Sequence, residues 1–204
     1  MDSVLELTEE KESNLKMKKY LLKPTAKQKK LLRKWFGTAR WTWNQCLAAT
    51  KEDVKKATLK YLRPTHINII NYENKNEWVK ETPYEIRDQA MISLLSAYKS
   101  NFTSMKQKLI TDFNIKFQSK KSKSQVIHIL KKCFTSKGIC PRSGFGVLKG
   151  YEELPKKPDY DSKLLYENGK YWLLVPMPIE LTDRTKMDDL RVVAIDPGTL
   201  SRYF

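Results

Sequence analysis

At Asn114 the spacing of apolar residues changes. Upstream of it they recur every three to five positions; downstream they alternate with polar ones. A helix repeats its faces every 3.6 residues and a strand every two, so the chain reads as a helical part followed by a β part. One strand precedes both. MKKYLLK, residues 17–23, has strand character and is stopped by Pro24. An α+β chain is expected, in which a helical insertion interrupts a sheet.

Thr25 and Gln28 form a capping-box pattern that opens a helix. Leu31, Leu32, Trp35 and Phe36 share one of its faces, and Gly37 is expected to end it. A second helix, about 39–52, buries Ala39, Trp43, Cys46 and Leu47, so that the two helices form a hairpin. Thr65 is expected to cap a short helix at about 66–72. Thr82-Pro83-Tyr84-Glu85 is a second capping box and opens the longest helix, about 83–111. Its stripe is Ile86, Ala90, Leu94, Ala97, Phe102, Met105 and Leu109.

Beyond Asn114, residues 115–118 and 125–130 read as strands joined by a basic loop, with a further strand at 145–148. Residues 162–177 are two β-rich runs around Asn168-Gly169, the pair preferred in a type I′ hairpin. A polar linker then leads to a terminal apolar run, Val192 to Ile195. Asp196 and a Pro-Gly turn follow it. An apolar run bounded by turn residues is the pattern of a strand buried on both faces. Residues 1–15 carry no pattern and are expected to be disordered.

Charge narrows the partners. The 204 residues hold 39 Lys and Arg against 23 Asp and Glu, a net +16. Residues 16–40 contain ten basic residues and no acid, and residues 116–157 contain eleven against two. Such clusters suit a polyanion, because each neutralised phosphate releases counterions. Aromatic residues beside them (Trp35, Trp41, Trp43, Phe117 and Tyr151) point to folded surfaces rather than tails. Lys27, Lys30, Lys34 and Arg40 would project from the polar side of the first two helices. Lys120, Lys121, Lys123, Lys131 and Lys132 would grip phosphates without reading sequence. Three cysteines, Cys46, Cys133 and Cys140, do not pair off, which fits a reducing, intracellular setting and not secretion. No apolar run is long enough to span a membrane.

Three segments together resemble a known family. They are KYLLKPTAKQKKLLRKWFGTARWTWNQCL (19–47), WVKETPYEIRDQAMISLLSAYKSNF (78–102) and RVVAIDPGTL (191–200). In that order and spacing they resemble the TnpB and Fanzor proteins, transposon-associated RNA-guided nucleases, and more closely the eukaryotic and viral Fanzor branch. The resemblance implies a wedge β-barrel, residues 16–24 and 113–180, interrupted by a recognition insertion at 25–112. A linker at 181–190 would precede the first strand of a RuvC domain, ribonuclease H-like in fold, at 191–204.

The resemblance also implies chemistry. Asp196 matches the first catalytic carboxylate, a ligand for Mg²⁺. The family's later catalytic Glu and Asp have no counterpart in these residues, nor has its zinc-binding insertion. One carboxylate does not make a two-metal site. The chain alone is therefore expected not to cut DNA, and Mg²⁺ is expected only with a complete RuvC domain. Alternatively, it is a nuclease-dead remnant that represses, or a decayed copy. Its implied partners are guide RNA, double-stranded DNA and a missing RuvC and zinc-binding half, in the nucleus or at viral DNA. The protein would read a short motif beside the target while base pairing reads the target itself. Trp43, Asn44, Arg87 and Gln89 are the candidate base readers, since Arg suits guanine and Asn or Gln suits adenine. Trp43 equally fits a core position, and Arg87 a surface ion pair with Asp88 or Glu85.

Overall fold

Thr25 and Gln28 start the element around which the others pack. The Thr25 hydroxyl oxygen accepts from the Gln28 backbone N–H at 3.2 Å, and Gln28 Oε1 accepts from the Thr25 N–H at 2.9 Å. This reciprocal box opens α1, Ala26–Glu52. The structure, a computed structural model, describes residues 15–68, 72 and 76–178.

The expected break at Gly37 does not occur. One helix of 27 residues replaces the hairpin. The cause is phase: Leu32, Trp35, Phe36, Ala39, Cys46 and Leu47 are buried at spacings that continue across the glycine. A glycine inside a helix costs about 1 kcal/mol relative to alanine. Burying one large apolar side chain contributes about 1.5–3 kcal/mol, so the uninterrupted stripe prevails.

α1 enters two cores. Its first half packs Leu32, Trp35, Phe36 and Ala39 against sheet residues including Ile127, Ile129, Leu164 and Leu173. Its second half packs Cys46 and Leu47 with Leu62, Ile67, Met91, Leu94 and Tyr98. The second long helix lies within α3, whose bounds are Tyr84–Lys106. It divides the same way, with Ile86 in the first core and Met91, Leu94 and Tyr98 in the second. Hydroxyls join the two helices: Thr82 donates to Thr38 at 2.7 Å, and Tyr98 to Thr50 at 3.0 Å.

Those contacts correct the second capping box. Pro83 stands at the cap with no side-chain bond, because the Thr82 hydroxyl is turned to Thr38. α3 also ends before residue 111. Phe102, Met105 and Leu109 are exposed, and Phe102 instead meets the rings of Tyr98 and Phe113 at 6.1 and 5.1 Å. The short helix lies earlier than expected, as α2, Leu59–His66, capped by Thr58. Thr65 is inside it and donates to the Tyr61 carbonyl. A 3₁₀ turn, Val54–Lys56, joins α1 to α2.

The strands are β1 (Leu15–Leu21), β2 (Ser124–Ile129), β3 (Phe134–Thr135), β4 (Gly138–Ile139), β5 (Ser162–Glu167) and β6 (Lys170–Pro178). β1-β6-β5-β2 form one sheet and β3-β4 a small ribbon. The hairpin is as the sequence indicates: Asn168 and Gly169 both take positive φ, 49° and 77°, between the paired Glu167 and Lys170. The α+β class holds, but the expected barrel is an open four-stranded sheet. Residues 115–118 and 145–148 join no strand. Side chains of α1 occupy their backbone groups instead. Gln28 Nε2 donates to the carbonyls of Phe145 and Val147 at 3.1 and 2.9 Å. Gly138 is required where the ribbon meets this segment, since a Cβ there would lie 1.9 Å from the Gly146 carbonyl oxygen. The linker, the terminal strand and Asp196 lie outside the described residues, as do residues 1–14.

Gly37→Ala separates one helix from two. A Cβ at Gly37 would meet only Arg40 Nη2, at 3.9 Å. The substitution should stabilise the protein by about 0.5–1 kcal/mol in denaturant unfolding. Destabilisation would indicate a glycine-dependent break.

Candidate nucleic-acid interface

Three residues of α1, Arg40, Trp43 and Asn44, fasten the basic segment after α3. Asn44 Nδ2 donates to the Gln118 carbonyl at 3.0 Å, and Asn44 Oδ1 accepts from the Gln118 N–H at 2.8 Å. Trp43 Nε1 donates to the Lys116 carbonyl at 3.4 Å. Arg40 Nη1 donates to Gln125 Oε1 at 3.0 Å, and Gln125 Nε2 donates to the Lys120 carbonyl at 3.3 Å. Trp43 and Asn44 lie on the same side of α1 as Arg40 because they follow it by three and four residues, one turn on. Burial lowers the Arg40 pKa from its ordinary value, and the guanidinium still has an acceptor.

Between loop and helix lies a groove of about 600 Å³, lined by Phe36, Arg40, Phe117, Gln118, Lys121 and Gln125 among others. Phe117 is 52% exposed. Lys51 Nζ stands 5.6 Å from its ring centroid. The sequence marks Phe117 as an aromatic residue within a basic run but gives it no role; Gln118 and Gln125 carry no sequence signal of their own.

The predicted cations divide by whether an acid reaches them. Lys34 pairs with Glu81, and Lys132 with Glu85 at 3.6 Å. Lys27, Lys30, Lys120, Lys121, Lys123 and Lys131 are exposed and have no ion pair among the described residues. The loop thus concentrates unneutralised charge, and α1 adds Lys27 and Lys30 on its exposed side.

Arg87 is elsewhere. It is 1% exposed, with Nη1 donating to the Ile67 carbonyl at 2.6 Å and Nε to the Thr82 carbonyl at 3.3 Å. Burial lowers its pKa, and the rings of Tyr72 and Tyr84 lie 5.8 Å from its guanidinium carbon. It ties α3 to the end of α2 and faces no groove of the loop. Asp88 pairs with Arg63 at 2.8 and 3.0 Å, not with Arg87. Gln89 is half-buried on α3, and its backbone carbonyl accepts from Ser93.

Cys133 and Cys140 are buried neighbours, with the Cys140 N–H donating to the Cys133 carbonyl at 2.9 Å. The interaction of the two thiols lowers the Cys133 pKa and raises that of Cys140. Burial pushes the Cys46 thiol up to about 12. His66 and His128 are both lowered by burial. Among the described residues, no three His, Cys, Asp or Glu side chains gather to hold a metal ion. None of the described helices is long and apolar enough to cross a membrane.

Two comparisons bear on this geometry. Residues 14–58 match the family model HTH_OrfB_IS605, described as a helix-turn-helix domain. The matched residues contain β1, all of α1 and the 3₁₀ turn, and α2 begins just past their end, at Leu59. The chain is also 28% identical over 213 aligned positions to "Putative transposase A625R" of Paramecium bursaria Chlorella virus 1. That alignment takes in 93% of this chain and 46% of the viral protein, so the chain spans about half the length of its curated relative.

Arg87→Met should destabilise folding by about 2–4 kcal/mol, because two buried carbonyls lose a charged donor. Lys121→Ala should leave stability within about 0.5 kcal/mol, as for most exposed sites. Thermal unfolding of both variants measures the contrast, and equal effects would contradict a structural Arg87.

Proposed function

We propose, from the premise that the chain is TnpB/Fanzor-like, that residues 15–178 are the nucleic-acid-binding part of a transposon-associated RNA-guided DNA endonuclease. The observation that carries this reading is a loop whose lysines have no acid partner among the described residues, clamped to the helix of the matched domain. A flexible lysine tail would serve a counterion role without such fastening. A clamped one presents charge at fixed spacing, which suits a phosphate backbone.

In this reading Lys120, Lys121, Lys123 and Lys131 hold the phosphates of a guide RNA or of target DNA, and Lys27 and Lys30 extend the track along α1. Asn44 and Trp43 contribute by shaping the loop, since the Asn44 amide is engaged at both ends. Gln89 remains the candidate for contact with a base edge from α3. The matched residues, β1 and α1 with the 3₁₀ turn, are the part that would meet double-stranded DNA. The similarity to a viral putative transposase supports action on a transposable element, hence a site of work at nuclear or viral DNA. Asp196 would supply one carboxylate to a Mg²⁺-binding RuvC domain of the longer protein, which would perform the cleavage.

Replacing Lys120, Lys121 and Lys123 together by Gln tests the reading. Each lost phosphate contact lowers the slope of log affinity against log salt by about 0.7 on single strands and 0.9 on duplex. The triple variant should lose about 2–3 from that slope, measured by fluorescence anisotropy, with folding unchanged. An unaltered slope would remove the loop from the interface.

A further inference from the structure

We infer that the groove between α1 and the basic loop is a stacking site for one unpaired nucleobase, with Phe117 as its platform. The inference rests on the proposed nucleic-acid function and gives it a place and a ligand form.

Three observations meet there. Phe117 keeps half its surface in solvent although the backbone on both sides is fixed, through Trp43 to Lys116 and through Asn44 to Gln118. An exposed aromatic ring on a fastened segment is preorganised, so little ordering entropy opposes stacking. The groove volume of about 600 Å³ exceeds that of a base. Its lining supplies cation and amide together: Lys121 has no acid partner, and the Gln118 side-chain amide makes no hydrogen bond among the described residues. A phosphate on Lys121, a base on the Phe117 face and a polar edge toward Gln118 make the chemistry of a single-stranded nucleotide. A duplex, whose bases are stacked on each other, offers the ring no free face. The bases of single-stranded RNA and DNA share this chemistry.

The test uses the whole chain with labelled single-stranded RNA, single-stranded DNA and a duplex as probes, and the variants Phe117→Ala, Phe117→Leu and Phe117→Trp. Stacking on one aromatic residue is worth about 1–3 kcal/mol per base, so Ala and Leu should weaken single-strand binding about 5- to 100-fold. Trp should retain it, and duplex binding and the salt slope should not move. A loss on both RNA and DNA supports recognition of the base face whatever the sugar; a loss on RNA alone supports a guide strand as its source. Parent-like binding by all three variants overturns the inference while leaving the lysine surface intact. Rescue by Leu also overturns it, since apolar contact would then suffice. If the unaltered chain binds none of the probes, the proposed function fails, and the stacking site with it. Phe117 lies outside both cores, so the variants should fold, which circular dichroism checks.

Discussion

The packing of α1 against α3 governs the remainder of the structure. Each helix contributes to both cores, so neither core is complete unless the two helices are in register. At about 1.5 Å per residue, the 27 residues of α1 extend roughly 40 Å. The Thr38–Thr82 and Thr50–Tyr98 hydrogen bonds fix that register at two heights. Such buried hydroxyl pairs add only about 1 kcal/mol each net. They discriminate strongly, however, because a slipped register would leave the hydroxyls unpaired away from water.

The candidate interface inherits its order from this rod. Arg40, Trp43 and Asn44 fall on one stretch of α1 only because the helix continues through Gly37. With a break there, their directions relative to Leu32 and Trp35 would change, and the loop would lose its anchor. Charge has the same dependence. Among the described residues no acid pairs with Lys120, Lys121 or Lys123, whereas Lys34 and Lys132, nearer the start of α3, are paired with Glu81 and Glu85. Exposed pairs of that kind contribute little to stability. They do reduce the positive potential around the start of α3, leaving the loop as the more electropositive region.

Local rules made much of this legible. Thr25 and Gln28 define a cap within four residues, and Asn168-Gly169 defines a turn within two; both depend on bonds or dihedrals that neighbours supply. Gly37 misled because a glycine after an apolar stripe matches a helix end, although the stripe on its far side keeps phase. Thr82 failed as a cap because a distant hydroxyl, Thr38, competes for it. The expected barrel stays open because residues 115–118 and 145–148, strand-like in pattern, bond through their backbones largely to side chains of α1. Arg87 looks like a reader by residue type, and only its burial against Ile67 and Thr82 identifies it as a tie. The lysine runs are visible in composition, while the groove beside Phe117 depends on the fastened loop.

Hydrogen exchange in the presence and absence of bound single-stranded RNA tests the central claim most directly. Backbone amides of residues 116–125 should gain protection together with the exposed side of α1, while the β3–β4 ribbon should not change. Protection confined to the ribbon, or none in the loop at saturating RNA, would contradict an interface built on α1 and its clamped lysines.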